Sequence, residues 1–249
     1  MTSGTRARLT GFLQRWPALY RFVSGIYWAL DPVRLKEYFS GTRARENWWA
    51  GRGNVKGYWD NRGLDNKNYL TERLSAFNPG SVLEIGCASG PNLYSLAKKY
   101  PGAKIVGIDI NPEMVDYGNE QFAGEGIKNV TLLVGKADEL ERFEDRGFDI
   151  VFTNACLIYI GPDKIEEVIQ GMLRVARRGL VLLECCSFAE GRDVNGMGYY
   201  EGGIWMRDYA ALIRRYVPPE KISVTRLPEE LWPMRPWRDY GAVTEVSLQ

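Results

Sequence analysis

The stretch Val82-Leu83-Glu84-Ile85-Gly86-Cys87-Ala88-Ser89-Gly90-Pro91-Asn92 decides the reading of this chain. An apolar run, Ser81 to Ile85, reads as a buried strand. It breaks into a loop of small residues. Pro91 then suits the first position of a helix, where its missing N–H costs nothing. Small residues let the backbone approach a ligand closely, and a helix start offers free N–H groups to an anion. A second apolar run, Lys104 to Ile108, leads into Asp109, Ile110 and Asn111, placing a carboxylate 19 residues after Gly90. A carboxylate at that point can accept hydrogen bonds from both hydroxyls of a ribose.

Outward from this centre the chain alternates strand and helix patterns. Upstream, a helix is expected from about Lys67 to Phe77, closed by Asn78-Pro79-Gly80. Downstream, one helix starts at Pro91, and a second is capped by Asn111 and opened by Pro112. Further strands are expected over residues 129–134, 148–153 and 180–185. A helix starting at Gly161-Pro162 carries Ile165, Val168, Ile169 and Met172 at helical spacing. Arg177 and Arg178 suit its negative pole and Gly179 its stop. Another helix is expected from Met206 to Tyr216, then two strands, Lys221 to Leu227 and Gly241 to Leu248. Alternation of this kind predicts an α/β fold: a doubly wound, mainly parallel sheet with ligands at the carboxyl ends of its strands.

Residues 9–30 carry Leu9, Phe12, Leu13, Trp16, Leu19, Tyr20, Val23 and Tyr27 at helical spacing, with a second helix expected after Asp31-Pro32. This predicts an N-terminal helical extension. The segment Asn47 to Asn66, rich in Trp, Tyr, Gly, Asn and Arg, reads as a loop or lid. The expected division is therefore 1–65, extension and lid, and 66–249, the α/β domain.

Composition narrows the chemistry. The chain has 249 residues and a formal net charge of +1, so total charge does not point to nucleic acid. Residues 1–45 alone carry +6, a charge suited to phosphate or an anionic membrane surface. There is no histidine, which removes the usual general base and the commonest metal ligand. The four cysteines, Cys87, Cys156, Cys185 and Cys186, lack paired metal-site spacing and read as reduced thiols. No bound metal is expected. Arginines interrupt any secretory or membrane-spanning run near the start, so a cytoplasmic location, peripheral at the membrane through residues 1–45, is expected.

The dehydrogenase fingerprint needs G-x-G-x-x-G. Here Ala88 stands at the second glycine and Pro91 at the third, which serves a pyrophosphate poorly. The pattern E-x-G-x-A-x-G instead resembles the cofactor loop of class I S-adenosylmethionine-dependent methyltransferases, usually E/D-x-G-x-G-x-G. Ala88 departs mildly from it. The resemblance spans residues 81 to about 188 and includes Lys136-Ala137-Asp138 after the third strand and Phe148 to Asn154 as the fourth. It implies a seven-stranded Rossmann-like sheet of order 3-2-1-4-5-7-6 with strand 7 antiparallel, and S-adenosylmethionine as cofactor. It further implies that Glu84 orients the loop or the cofactor's amino group. Gly86, Ala88 and Gly90 would underlie the methionine moiety, with Asp109 on the ribose, Ile110 on the adenine, and Ala137 and Asp138 at its amino group. Asn154 and Ala155 would sit beside the transfer point, under an aromatic lid of Tyr58 and Trp59.

Tyr159 and Glu184 are the candidate catalytic groups. Each has a plainer role open to it, Tyr159 as pocket wall and Glu184 as a cap. Methyl transfer depends mainly on proximity and orientation, so a dedicated base is dispensable. The expected acceptor is a small molecule or glycan, on oxygen, with a loose similarity to methyltransferases of surface-polysaccharide biosynthesis. An RNA or protein methyltransferase and a non-catalytic cofactor-binding module are the alternatives. Nucleic-acid bases are less favoured, because Thr153-Asn154-Ala155-Cys156 replaces the motif of base amino-methylating enzymes.

Overall fold

The computed structural model describes residues 49–51, 54–188, 197–201 and 203–249. The readings made on residues 1–45 lie outside these. Seven strands form the main sheet: β1 (Ser81–Ile85), β2 (Lys104–Asp109), β3 (Val130–Val134), β4 (Phe148–Asn154), β5 (Ala176–Cys185), β8 (Ile222–Arg226) and β9 (Gly241–Ser247). A separate hairpin, β6 (Tyr199–Glu201) with β7 (Ile204–Met206), lies between β5 and β8 in the chain. The sheet order is β3-β2-β1-β4-β5-β9-β8, which becomes 3-2-1-4-5-7-6 once the hairpin is set aside. β1 to β5 pair in parallel, and β9 runs antiparallel to both neighbours. The sequence-based order and the direction of the last strand therefore hold.

Seven α-helices flank the sheets among the described residues: α1 (Val55–Asp60), α2 (Asp65–Ser75), α3 (Pro91–Lys99), α4 (Pro112–Gly124), α5 (Ile165–Val175), α6 (Tyr209–Ile213) and α7 (Trp237–Tyr240). Alternation along β1 feeds two cores, with Val82 on one face and Leu83 and Ile85 on the other. β4 is buried along its whole length, as a central parallel strand covered on both faces should be. α5 turns Ile165, Val168, Ile169, Met172 and Val175 inward, a stripe at helical spacing. Asn111 caps α4 by accepting from the amides of Glu113 (3.0 Å) and Met114 (3.3 Å). No described helix is long and apolar enough to cross a membrane.

Four local expectations need correction. Arg177, Arg178 and Gly179 do not close α5; they lie inside β5, which begins at Ala176. Arg177 pairs instead with Asp149 on β4, at 2.5 Å, and a Cβ on Gly179 would strike Phe77 and the carbonyl of Val246. That glycine permits close packing on a sheet, not a helix stop. The helix expected from Met206 is shorter: Met206 belongs to β7, and Asp208 caps α6 by accepting from Ala211 N at 2.9 Å. The segment read as irregular lid contains α1 and a 3-10 turn, Asn61–Gly63. Trp59 of α1 is buried in the domain core, so the domain begins upstream of residue 66 and no boundary falls at 65.

Candidate active site

A cavity of about 410 Å³ opens at the carboxyl ends of β1, β2 and β4, where the strand order reverses. That is where doubly wound sheets place ligands. The β1–α3 loop forms one wall. The amides of Gly86 and Cys87 both donate to Ile108 O, at 2.8 and 3.0 Å, tying the loop to β2. Gly86 has φ 76, and a Cβ there would sit 2.5 Å from Cys156 Sγ, so only glycine fits. Ala88 adopts φ 48, a left-handed conformation unusual for a residue with a Cβ. Its amide donates to Asp109 Oδ2 at 2.8 Å, while Asp109 Oδ1 accepts from Asn111 N at 2.9 Å.

Asp109 thus holds both the loop and the turn that follows β2. A carboxylate offers about four acceptor sites, so two remain for a ligand in the cavity that Asp109 lines. Burial raises its pKa, against the pull of the two amides, and a diol donating to it would favour the charged form. Ile110, Gly135, Lys136 and Ala137 continue this wall.

The floor is a chain of polar side chains. Asn92 Nδ2 donates to Glu84 Oε1 at 2.5 Å, and Asn154 Nδ2 donates to Asn92 Oδ1 at 3.0 Å. This fixes the Asn154 amide with its oxygen left over. That oxygen has no hydrogen-bond partner among the described residues, and Asn154 lines the cavity. Burial pushes the Glu84 carboxyl up to about 8, against the hydrogen bond from Asn92 and the charge of Lys67. Tyr58 lines the cavity near Asp109, and its phenol is raised by burial and then by that carboxylate's charge.

Several expected site residues therefore meet at one cavity: Tyr58, Gly86, Ala88, Asp109, Ile110, Ala137, Asn154, Ala155 and Tyr159. Five others do not reach its wall. Trp59 packs edge-on against Tyr94 and Phe122, with ring centroids at 5.5 and 5.0 Å, and is a core residue, not a lid. Gly90 is the N-cap of α3. Glu84 lies beneath the cavity in the relay just described. Asp138 turns away to pair with Lys164 at 2.6 Å; burial alone would raise its carboxyl, but Lys164 outweighs this and holds it low. Glu184 is fully buried and accepts from the amides of Cys156 and Leu157, each at 3.1 Å, and of Ile158 at 3.3 Å. It caps the turn Leu157–Tyr159 and does not line the cavity.

That turn is held from its other side by Arg207. Its guanidinium donates to Leu157 O at 2.9 Å, to Met197 O at 3.0 Å and to Ile160 O. Tyr159, presented by the turn, stacks obliquely on Trp49 at 5.1 Å. The structure also brings in residues that the sequence did not single out for the site: Asn66, Lys67, Trp232 and Trp237 in the wall, and Asn92 beneath it. Asn92, two positions after Gly90 in the first turn of a helix that starts at the loop, was within reach of the motif. Trp232 and Trp237 follow β8 and had no local signal.

These features suit S-adenosylmethionine. Asp109 offers acceptors for a diol, and Asn154 an oxygen, unpaired among the described residues, for an ammonium.

Comparison with known proteins agrees. Residues 82–179 match the family model described as a methyltransferase domain. A sterol 4-C-methyltransferase of Caenorhabditis elegans is 32% identical over 114 residues, 45% of this chain and 34% of that protein. Ajmaline N-methyltransferase of Rauvolfia serpentina is 33% identical over 106 residues, 42% of this chain and 35% of that protein. The chain thus spans about a third of the length of these curated relatives. In fold, it resembles magnesium protoporphyrin IX methyltransferase from Synechocystis PCC 6803 with bound SAH. The TM-score is 0.55 at 20% identity, covering 88% of this chain and all of that one. The sheet order is that of a Rossmann-like methyltransferase fold, and residues 82–179, which hold the loop and the acid closing β2, are similar to a methyltransferase domain.

Proposed function

We propose that this chain transfers a methyl group from S-adenosylmethionine to an oxygen of a small-molecule or glycan acceptor. The observation that carries the reading is Asp109. It sits at the carboxyl end of β2, is anchored by Ala88 N and Asn111 N, and faces the same cavity as Asn154. The cofactor supplies an electrophilic methyl carried on a sulfonium. Asp109 accepts from the ribose hydroxyls, and Asn154 Oδ1 accepts from the methionine ammonium. The aromatic rings of Trp49, Tyr58 and Tyr159 exclude water from the acceptor.

With Glu184 committed to its turn, Tyr159 is the remaining candidate for orienting an acceptor hydroxyl. Proximity and orientation supply most of the acceleration on this reading. The two curated relatives named above act on a sterol carbon and an alkaloid nitrogen, by their names, so the choice of oxygen rests on the loose similarity to methyltransferases of surface-polysaccharide biosynthesis. The test has two stages. Titration calorimetry should show binding of S-adenosylmethionine and its demethylated product, with NAD weaker; tighter NAD binding sinks the reading. Panels of hydroxylated and aminated small molecules and glycans are then screened for formation of that product. Turnover only on amines would replace oxygen by nitrogen. We also keep the proposal of a cytoplasmic protein whose residues 1–45 meet an anionic membrane; salt-sensitive sedimentation with anionic vesicles, lost on deleting 1–45, is the expected result.

A further inference from the structure

The turn that presents Tyr159 to the cavity is clamped from two sides by fully buried ionisable groups. Glu184 takes the amides of Cys156, Leu157 and Ile158, and Arg207 takes the carbonyls of Leu157 and Ile160. Within the turn, Tyr159 N donates to Cys156 O at 3.0 Å and Ile160 N to Leu157 O at 3.1 Å. Every amide from Cys156 to Ile160 is therefore committed. Cys156, Tyr159 and Ile160 all line the cavity, so its wall on this side is set by where the clamp stands.

Arg207 reaches the turn from outside the seven-stranded sheet. It follows β7, and its guanidinium also donates to Met197 O, ahead of β6, so one side chain joins the base of the hairpin to the turn. The approach is close: Gly198 has φ 88, and a Cβ there would lie 2.6 Å from Arg207 Cγ. Ser187 N donates to Arg207 O at 2.7 Å, which ties the same residue to the end of β5. Ile204 and Met206 of the hairpin belong to the core cluster against which Tyr159 packs. Burying a guanidinium is costly, and replacing buried charges by well-packed apolar residues is often neutral. An apolar residue cannot fix three carbonyls at once, whereas a planar fork with several donors can.

The geometry points to Arg207 as a positioning residue for methyl transfer: it holds the turn that carries Cys156 and Tyr159 in place beside Asn154, and through it the β6–β7 hairpin sets the acceptor side of the cavity. This rests on the methyltransferase reading, which puts the transfer point beside Asn154 and Ala155. Orientation supplies most of the acceleration there, so a displaced turn costs rate and not cofactor affinity.

The experiment uses the Cys156 thiol as its reporter. Of the four cysteines it alone is partly exposed; Cys87, Cys185 and Cys186 are buried. The full chain is alkylated with iodoacetamide, with and without saturating S-adenosylhomocysteine, well below the Tm of each variant, and the labelled sites are located by peptide mass spectrometry. In the wild type that ligand should slow Cys156 alkylation about tenfold or more. Arg207→Met should speed the ligand-free reaction roughly tenfold and cut the protection to about twofold or less. Its S-adenosylhomocysteine affinity, by calorimetry, should stay within about threefold of the wild type. Arg207→Lys, which keeps charged donors, should recover part of the protection. Gly198→Ala pushes on Arg207 from the hairpin and leaves the turn's own residues intact. It should move both readings the same way by less, and it carries the test if Arg207→Met does not fold.

Protection unchanged in Arg207→Met, or in Gly198→Ala where that variant alone folds, overturns the proposal. So does a loss as complete in Arg207→Lys as in Arg207→Met, because volume and not donors would then hold the turn. Labelling of all four cysteines together overturns it too, by making Arg207 a support of the whole fold. Failure of the wild type to bind S-adenosylhomocysteine would instead overturn the methyltransferase reading, while the ligand-free alkylation still reads the clamp.

Discussion

The two ends of the cavity are built by different means. At the β2 end the inward-facing groups come from tight turns: Gly86 N donates to Ile108 O, and Asp109 accepts from the amides of Ala88 and Asn111, all within two adjacent strand ends. At the β9 end they are side chains on separate elements, with Lys67 on α2 and Trp232 and Trp237 around α7, brought together only by the closed fold. Turns of the first kind follow from which residues tolerate a backbone conformation. Meetings of the second kind depend on how whole helices pack. The first end should therefore fail more sharply than the second on single substitutions.

The largest effect is expected at Asp109. Asp109→Ala removes acceptors for two ligand hydroxyls and leaves Ala88 N and Asn111 N without partners. Hydrogen bonds to a charged group are worth about 1.5–3 kcal/mol each. S-adenosylmethionine affinity should then fall roughly 100-fold or more, read by titration calorimetry. An unchanged dissociation constant would break the contrast at its rigid end.

Trp59→Ala comes next. Its ring is 3% exposed and wedged between Tyr94 and Phe122. Truncating such a side chain costs about 3–5 kcal/mol. Thermal melts should show a large loss of Tm, while cofactor affinity measured well below that Tm is retained. Intact stability with weakened binding would return Trp59 to the lid.

A smaller, pH-dependent effect is expected at Glu84. Burial raises its folded pKa to about 8 from an ordinary 4.5. A raised carboxyl binds its proton more tightly folded than unfolded. Its contribution to stability is thus complete below about pH 4.5 and is lost as pH rises through about 8. Glu84→Gln keeps an acceptor for Asn92 and removes the titration. The Tm of Glu84→Gln minus that of the wild type should climb between pH 5 and pH 9. A flat difference would mean that Glu84 stays ionised over the relay to Asn154.

The smallest effect is expected at Ala88. Its φ of 48 costs an L-residue roughly 1–2 kcal/mol, partly offset in glycine by the greater freedom of the unfolded chain. Ala88→Gly should raise Tm slightly and leave cofactor affinity as it was. A lower Tm would show that the alanine methyl packs usefully in the loop.

Comparable acids show where legibility ended. Asp109, Asp138 and Glu184 each fall at or after the end of a strand; the sequence reading gives Asp109 to the ribose, Asp138 to the adenine amino group, and Glu184 either catalysis or a cap. Asp109 faces the cavity because its carboxylate is held by the two turns flanking it. Asp138 meets Lys164, a cation from the start of the α5 region. Glu184 is drawn into three amides of the turn after β4. The partner that captured each side chain lies on another element, so neither spacing nor propensity could reveal it. The misplaced end of α5 has the same origin. Arg177, Arg178 and Gly179 are good helix-ending residues locally, but pairing with β4 and β9 and the ion pair to Asp149 draw them into β5.

By itself, then, the sequence determined the strand runs, the glycine-dependent loop at Gly86 and the carboxylate closing β2, because each follows from short-range sterics and a repeating apolar period. Only the tertiary structure decided that Trp59 is core and Glu184 a cap, and that Lys67, Asn66, Trp232 and Trp237 share one wall. Those outcomes depend on long-range packing, in which a side chain's role is set by whichever distant partner the closed fold brings within hydrogen-bonding or van der Waals reach.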